Sequence, residues 1–316
     1  MRRVTNPAIA RVLLTLAAHF GCAHIVRAQA WVPSQGEGAV SLTYQNYDVV
    51  GHFDAFGRKN TNGGTHTHAI VAEIDYGVTD TIGVTVTLPF IGSKYTGPPS
   101  YVVGGHETHP GPLDNGAYHA AVQDLRIEMQ RLFWVGPVAV APRVGFSFPT
   151  HDYETVGEAV PGRHRRDLQF GASAGTDLDR LVRRAYVHVR YAYGIAERIH
   201  DIPFTRSNID VEVGQAPTPR LALRALVNSQ VRHQGPSLDE LSDDWENHDR
   251  FIAPSFLNLG GGASFSLTRS ADIYALWIVT VSGSNGAHRG RLIAAGTTWA
   301  FGRGLSGMVG SGKPHP

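Results

Sequence analysis

The sequence predicts an all-β protein: a single transmembrane antiparallel up-and-down β-barrel of about twelve strands, with short periplasmic turns and long extracellular loops. Three observations predict this fold. The chain begins with a segment typical of an export signal, continues with apolar and polar residues in alternation, and joins its alternating segments by connections that are short and long in turn.

The first thirty residues differ from the rest of the chain. Two arginines near the start precede a short apolar run at residues 12–20, and residues 28–30 read Ala-Gln-Ala, the small-residue pattern of a cleavage site. We therefore expect residues 1–30 to be a signal peptide that is cleaved after Ala30. The apolar run is too short to span a membrane. The single cysteine, Cys22, lies in this segment, so we expect neither a disulfide nor a thiolate site in the mature chain.

Alternation with a period of two predicts strand after strand in the remainder. It is clearest on both sides of Thr79-Asp80, where every second residue from Ile70 to Phe90 is apolar apart from the turn itself. The predicted strands are residues 37–49, 67–78, 81–91, 119–133, 136–149, 165–176, 184–195, 207–216, 219–232, 254–267, 271–283 and 290–302. No run of eighteen apolar residues follows residue 30, and the net charge of +1 does not indicate a nucleic-acid partner.

The connections distinguish a membrane barrel from a soluble sandwich or soluble barrel, which the alternation alone leaves open. The connections after the even-numbered predicted strands are short. Those after the odd-numbered strands are mostly long and polar, except for the connection after the eleventh strand, which is short. An up-and-down barrel places all short turns at one end, as outer-membrane barrels do. A Greek-key sandwich gives no reason for this rhythm. We therefore expect residues 31–302 to form the barrel and residues 303–316 to form a flexible tail.

In a membrane barrel one face of each strand contacts lipid and the other lines the lumen. The parity of the pattern predicts the following lumen-facing polar residues: Glu73, Asp75, Asp124, Arg126, Glu128, Arg143, Asp167, His188, Arg190, Asp210, Glu212 and Arg224. Two interpretations remain open, namely a salt-bridged plug that stiffens the barrel and a polar conduit that binds and orients a solute. Because twelve strands lie between filled eight-stranded barrels and open sixteen-stranded porins, we expect a narrow lumen.

Motifs for chemistry are weak. His66 and His68 lie two apart and share a strand face, which makes them weak candidates for metal ligands, although solvated histidines are the default interpretation. The acidic run at residues 239–249 is interpreted as a solvated loop rather than a Ca²⁺ site. An outer-membrane hydrolase would need a Ser and a His together on the outer face, and no His-x-Ser occurs. We expect no cofactor and no enzymatic activity.

Four stretches carry a resemblance to a known family. They are "YGVTDTIGVTVTLPFI" (76–91), "DLRIEMQ" (124–130), "FSFPTHDY" (146–153) and "WIVTVSGSNG" (277–286). In this order they resemble the bacterial family named for the meta-pathway of phenol degradation, whose members are outer-membrane barrels described as transporters. The chain departs from that pattern at His151, where the family has Gly, and in continuing past Phe301.

These features predict a channel or transporter for small molecules in the cell outer membrane; that the molecules include aromatic or hydrophobic ones is implied only by the family resemblance. The expected partners are outer-membrane lipid, lipopolysaccharide, the barrel-assembly machinery and a small-molecule solute. The alternative is a non-transporting structural or surface-binding barrel that acts through its extracellular loops. An outer-membrane hydrolase is the third interpretation.

Overall fold

The computed structural model describes residues 31–61, 63–97, 101–103, 106–108, 111–199, 201–238, 250 and 252–302. The expected signal peptide (1–30), the acidic run (239–249) and the expected tail (303–316) lie outside the described residues. Among the residues that are described, no helix is long and apolar enough to cross a membrane.

The strands in these residues are β1 (Gly38–Phe53), β2 (Lys59–Asn60), β3 (Gly64–Gly77), β4 (Ile82–Thr96), β5 (Tyr101–Val103), β6 (His106–Thr108), β7 (His119–Val122), β8 (Leu125–Arg131), β9 (Phe133–Val135), β10 (Val138–Phe148), β11 (Asp167–Asp177), β12 (Ala185–Ile199), β13 (Ile202–Gln215), β14 (Leu221–Gln234), β15 (Ser255–Ser266), β16 (Ala271–Ser284) and β17 (His288–Phe301).

Twelve of these strands form a closed antiparallel barrel, which confirms the predicted fold class. Around the barrel they run β1, β3, β4, β8 and then β10 to β17, each paired with its neighbour in the chain. The last strand closes the ring on the first, in register from Gly38 opposite Phe301 to Val49 opposite Gly290. Since every barrel strand pairs with the next one along the chain, the topology is up-and-down.

The fourth predicted strand, residues 119–133, is not continuous and becomes β7, β8 and β9. The ladder breaks at Gln123 and Asp124, whose side chains bond a loop instead: Gln123 Nε2 donates to the Pro161 carbonyl at 3.0 Å, and the Tyr153 hydroxyl donates to Asp124 at 2.6 Å. Burial and this hydrogen bond to Asp124 raise the pKa of the loop residue Tyr153. The break therefore ties the 149–166 loop to the barrel wall.

The prediction of a long connection after the seventh strand was wrong. β12 and β13 continue to Ile199 and from Ile202, so that residues 200–201 alone connect them. Asp201 has a φ of 63°, a left-handed conformation that Asp tolerates in a tight turn. The polar residues here belong to the extracellular ends of β12 and β13. In such strands polarity no longer distinguishes strand from loop.

The outer face of the barrel is a band of exposed apolar side chains. It includes Leu42, Tyr44, Ile70, Ile74, Leu88, Phe90, Ile127, Met129, Phe146, Phe170, Val189, Ile209, Val213, Leu223, Leu259, Ile273, Trp277, Ile293 and Trp299. A soluble protein rarely exposes so extended an apolar surface. The exterior is therefore that of an outer-membrane barrel, in which the lipid covers this face.

A charge on the two faces of β4 should have unequal effects. Val86 lies in the outer-face row of β4, opposite Ile74 and Ile127, whereas Thr85 lies between Asp75 and Glu128 and donates to the Asp75 carboxylate. We expect Val86→Lys to lower the free energy of unfolding in lipid vesicles by about 2–4 kcal/mol, the cost of a cation in the bilayer. Thr85→Lys, the matched control, should cost less because carboxylates face it. Urea titration of both variants checks this, and an equal or larger loss for Thr85→Lys would contradict the face assignment.

Candidate functional site in the barrel interior

A carboxylate with three arginines organises one side of the interior. Glu128 on β8 accepts from Arg126 Nη2 at 2.7 Å, from Arg190 Nη2 at 2.6 Å and, through its other oxygen, from Arg143 Nη2 at 2.5 Å. Arg143 lies on β10 and Arg190 on β12, and the Glu128 and Arg143 side chains are each 7% exposed. Because β10 and β11 separate β8 from β12, the bond from Arg190 to Glu128 spans the inside of the barrel.

The other predicted lumen residues on β3 and β11 bond separately. Glu73 accepts from the Thr87 hydroxyl at 3.0 Å and Asp75 from the Thr85 hydroxyl at 2.5 Å. Near the extracellular end, Asp167 Oδ2 lies 2.6 Å from Arg206 Nη1, a partner that the sequence did not suggest. Asp124 is at the break described above rather than within a strand.

The predicted residues on β13 and β14 form a second cluster. Glu212 accepts from the Tyr186 hydroxyl and lies 3.8 Å from Arg224 Nη1. Asp210 accepts from Asn228 Nδ2 at 2.6 Å, and Asn258 Nδ2 donates to Asn228 at 3.0 Å. His188, opposite Glu212 on β12, is 4% exposed. The two asparagines extend the polar row across three strands, and alternation alone did not single them out.

A cavity of about 600 Å³ lies inside the barrel next to this second cluster. Its charged lining comes from β12, β13 and β14, and Asn258 of β15 also lines it. Its apolar lining includes Leu276 and Ile278 of β16, the strand next to β15, together with Leu292 of β17 and Ile91 of β4. Gln45, Tyr47, Thr67 and Thr280 add further polar groups from β1, β3 and β16. Gly260 and Gly262 on β15 make room for two of the apolar side chains: a Cβ at either glycine would come within 2.7 Å of Ile278 or 2.5 Å of Leu276. The cavity therefore has a mixed lining, with its charged groups on β12, β13 and β14.

Three residues that line this cavity each have a buried polar atom without a hydrogen-bond partner: His188 Nε2, Arg224 Nε and Asn258 Oδ1. Gln130 Oε1, Ser173 Oγ and two guanidinium nitrogens of Arg143 are likewise buried without partners, in residues that do not line the cavity. Because such atoms have almost no accessible surface and occur both beside the cavity and away from it, they do not mark a binding position in the cavity.

The periplasmic end of the barrel is occupied by the segment that precedes β1. Val32, 5% exposed, packs with Trp31 against Leu132 and Ala139, and its side chain lies over Gly83 on β4. The segment is held to the first periplasmic turn, because the Gln35 backbone N–H donates to Asp80 Oδ1 at 2.9 Å. The interior is therefore narrowed at this end.

The described residues of the β14–β15 connection, 235–238, 250 and 252–254, lie at the extracellular end. Asn285, 2% exposed and at a φ of 55°, donates to the Pro236 and Ala253 carbonyls and accepts from the Leu238 N–H at 2.6 Å. Leu238 packs against Ile252, against Ala55 in the connection that follows β1, and against Ile199 and Ile202 at the ends of β12 and β13. Leu238, Ile252 and Ala253, which we call the cover, thus join the β14–β15 connection to Asn285, Ala55 and the tip of the β12–β13 hairpin.

A buried arginine adds to the same end of the barrel. The Arg165 guanidinium lies 3.7 Å from the centre of the Phe204 ring, and its Nη1 donates to the Arg250 carbonyl at 2.5 Å. Phe204 is 1% exposed and also packs against Ala253 of the cover. A cation over an aromatic face is attracted by the ring electrons, so this stack fastens the cover to β13.

The two candidate metal-binding histidines take separate partners. His66 Nδ1 lies 2.6 Å from Asp48 Oδ1, whereas His68 bonds the hydroxyls of Tyr44 and Tyr118. Within the described part of the chain, no group of three or more His, Cys, Asp or Glu residues has the arrangement of a metal site.

One polar pair on the outer face was missed by sequence reasoning. Ser207 Oγ and His233 Nε2 lie 2.7 Å apart, and the Tyr191 hydroxyl is 2.9 Å from the same Ser207 oxygen. They are 26 positions apart in sequence, so no local motif could show the pair. Among the described residues, neither a carboxylate nor a side-chain amide bonds the other nitrogen of His233. The backbone of Ser207 and its neighbours pairs with β12 and β14, so within the described ranges neither a third catalytic group nor an oxyanion hole is found at this pair.

Comparisons with known proteins concern the fold. No protein-family model and no curated protein sequence matches the chain. The structure is similar to the COG4313 outer membrane channel from Pseudomonas putida F1, with a TM-score of 0.65 and 11% identity over 88% of this chain and 100% of that chain. Weaker similarity is found to the NanC porin (TM-score 0.47, 8% identity, 82% of this chain and 98% of that one). It is also found to the translocator domain of the autotransporter NalP from Neisseria meningitidis (0.46, 10%, 85% and 90%). At these identities the likeness shows the outer-membrane β-barrel fold, and it does not show the phenol meta-pathway family.

The Glu128 cluster yields a stability prediction. Glu128→Gln keeps the side-chain shape but leaves Arg126, Arg143 and Arg190 without their shared counter-charge. We expect the free energy of unfolding in lipid vesicles to fall by about 3–5 kcal/mol, as for other buried pairs that lose one partner. Glu73→Gln is the matched control, because its carboxylate is held by one hydroxyl and should be cheaper to neutralise. Equal losses in urea titration would show that the three arginines do not depend on Glu128.

Proposed function

We propose that this protein is a channel or transporter that admits small molecules through its barrel in the outer membrane. The observation that carries the proposal is the cavity of about 600 Å³ inside the barrel, lined by side chains of strands from β12 round to β4. Barrels that only anchor or display loops have no need of such a space. The likeness in fold to an outer membrane channel is in accord with this function and does not establish it.

Charge balance supports passage of solutes without strong preference for one sign. Among the residues that line the cavity, Arg190 and Arg224 are balanced by Asp210 and Glu212. Each of these four has a partner in the wall, so they hold a polar surface in place rather than presenting a free ion to the lumen. We propose that the two interpretations of the lumen-facing charges apply at different places. The Glu128 cluster stiffens the barrel, and the β13–β14 cluster forms part of the polar lining of a conduit.

We also propose how the chain reaches the outer membrane and which solutes it admits. We propose that residues 1–30 direct export and are removed, that the assembly machinery inserts the chain, and that lipid and lipopolysaccharide surround the apolar band. The resemblance to the phenol meta-pathway family supports aromatic or otherwise hydrophobic molecules among the solutes. We propose no catalytic role, because the Ser207–His233 pair has neither of the groups that acyl transfer requires.

The alternative, a non-transporting barrel, draws support from the two closed ends. Val32 narrows the periplasmic end, and the cover held by Asn285 lies at the extracellular end. Transport requires that at least one of these segments moves. The segment before β1 is the better candidate, because Trp31 and Val32 are held by side-chain packing and the hydrogen bonds of this segment to the barrel, from Gln35 to Asp80 and from Gly36 to Gly77, come after them.

Conductance tests the proposal. We expect the mature chain, refolded into planar bilayers, to give single channels, and a variant that lacks residues 31–35 to give a conductance several-fold larger, because Val32 no longer narrows the interior. Gln35→Ala is the control: its contact with Asp80 uses the backbone N–H, so the segment should stay in place. Liposome swelling with small sugars gives an independent readout.

One set of results would contradict the channel proposal. If neither the full mature chain nor the shortened variant conducts ions or lets sugars pass, while both migrate as folded barrels in heat-modifiability gels, the channel proposal fails. The non-transporting barrel would then be the function that the structure supports.

A further inference from the structure

A row of polar side chains crosses the outer face of the barrel on its extracellular side. Asp48 on β1 pairs with Arg291 on β17 and with His66 on β3, and His66 pairs in turn with Lys94 on β4. Tyr118, the residue before β7, comes next to Lys94. Because each of these residues is paired with the next across the sheet, all five lie at one level of the barrel. We call them the basic row.

The basic row lies at the extracellular border of the apolar band. On β1, Asp48 shares the outward face with Leu42 and Tyr44. Gly38, at the periplasmic end of the same strand, lies opposite Tyr76. The distance from Gly38 to Asp48 is about ten residues, or ~33 Å of strand, and at a tilt of about 40° this gives ~25 Å of height, which is the height of the lipid-facing band in such barrels. The basic row is therefore level with the lipid head groups of the outer leaflet.

The basic row presents more positive than negative charge. Arg291 Nη2 lies 2.9 Å from Asp48 Oδ2, and His66 Nδ1 lies 2.6 Å from Asp48 Oδ1. The Asp48 side chain is 14% exposed, whereas that of Arg291 is 64% exposed and that of His66 is 45% exposed. Lys94 Nζ lies 5.1 Å from the centre of the Tyr118 ring, and no carboxylate in the described ranges forms an ion pair with Lys94. Two permanent cations thus reach the surface beside a single carboxylate that is largely buried.

An aromatic patch, formed by Tyr44, His68 and Tyr118, adjoins these charges. The His68 ring lies between the two tyrosines and bonds both hydroxyls, that of Tyr44 at 2.7 Å and that of Tyr118 at 3.1 Å. Gly92 and Ala120 continue the rung of His68, and a Cβ at Gly92 would meet only the Ala120 side chain, at 3.6 Å. The surface beside the patch is therefore low and open. Flat rings with hydroxyls at their edges offer a sugar both apolar contact and hydrogen bonds.

The chemistry of this border fits an anionic glycolipid. The outer leaflet of an outer membrane consists of lipopolysaccharide, whose membrane anchor, lipid A, is a disaccharide that carries phosphates and acyl chains. A phosphate accepts several charge-assisted hydrogen bonds at once, and arginine and lysine are its usual partners in proteins. With a phosphate at Arg291 and Lys94, the sugar would lie over the aromatic patch and the acyl chains along the apolar band.

We infer that the outer face of β17, β1, β3 and β4 carries a specific binding site for lipopolysaccharide. Arg291 and Lys94 hold a phosphate of lipid A, and the aromatic patch holds its sugar. Asp48 is a positioning residue, because its carboxylate fixes the Arg291 guanidinium at the level of the head groups. The site differs from lipid that merely surrounds the band, since it selects one lipid by its phosphate and sugar. The inference does not depend on conduction by the barrel.

Three lipids test the inference. We would measure their binding to the full mature chain, refolded in detergent, by native mass spectrometry, with EDTA present to remove bridging divalent cations. The lipids are lipid A with two phosphates, the same lipid A with both phosphates removed, and phosphatidylglycerol. We expect one copy of lipid A to bind saturably, and the other two lipids to bind about tenfold or more weakly, because one lacks the charge and the other lacks the sugar. Equal affinity for phosphate-free lipid A or for phosphatidylglycerol would overturn the assignment.

Variants locate the site. Exchanging both Arg291→Gln and Lys94→Gln should weaken lipid A binding about tenfold or more and leave phosphate-free lipid A unchanged, whereas Arg291→Lys, which keeps the charge, should cost less than about threefold. Arg131→Gln is the matched control. Arg131 lies in the outward row of β8 at its periplasmic end, opposite Ile82, with its guanidinium 5.0 Å from the Phe133 ring centre. Its loss should leave lipid A binding unchanged.

The double variant is also the decisive one. If it binds lipid A as tightly as the unchanged chain, or if Arg131→Gln weakens binding as much, the site is not where we place it. Lys94→Gln alone serves if the double variant does not migrate as a folded barrel, because Lys94 has no ion pair in the described ranges to lose.

Conductance recorded on the same preparations separates this inference from the proposed function. A conducting channel that binds lipid A and phosphate-free lipid A equally contradicts the inference alone. A barrel that binds lipid A selectively and does not conduct contradicts the proposed function alone.

Discussion

The structure depends on the pairing of β1 with β17. A bilayer offers no water to satisfy backbone N–H and C=O groups, so a sheet in lipid cannot have a free edge. The first and last strands pair from Gly38–Phe301 to Val49–Gly290 and leave no edge open. With the ring closed, each strand has one face toward lipid and one toward the interior, and the direction of every side chain follows. The apolar band, the Glu128 cluster and the cavity are all consequences of that closure.

Charged side chains in the barrel interior are paired in two different arrangements. Around Glu128, three guanidiniums share one carboxylate, and this side of the barrel is packed. Around Asp210 and Glu212, the carboxylates bond asparagine, tyrosine and arginine side chains, and space remains next to them. Paired charges can thus belong to a packed part of the barrel or line an open volume. The second cluster lines the cavity together with Leu276 and Ile278 of the nearby strand β16.

The sequence predicted the barrel because strand alternation and connection rhythm are local signals that lipid enforces along the whole chain. It placed β3, β4 and β10 to β17 within a few residues of their observed bounds. The largest differences are about five residues, at the extracellular ends of strands such as β12 and β13. The break at Gln123 could not be predicted, because its cause is a loop nearly forty residues later.

Residue by residue, the sites were less predictable than the fold. Parity identified which charged residues share a face, but not which of them meet, since Arg190 and Glu128 are 62 positions apart. Asn228 and Asn258 are uncharged, so the search for charged residues did not select them. Their hydrogen bond to each other depends on the pairing of β14 with β15. The Ser207–His233 pair likewise exists only through the register of β13 and β14.

Gly260 and Gly262 allow the width of the barrel interior to vary independently of the number of strands. Because β15 has no side chains at these two inward positions, the neighbouring Leu276 and Ile278 side chains can lie across it. The width of the interior at this level therefore depends on the residues at two positions of β16 and not only on the number of strands. Exchanges at these positions would change which molecules fit inside while the lipid contacts and the strand pairing stayed the same. The shape of the interior can thus diverge through a few substitutions, with the membrane-facing surface left intact.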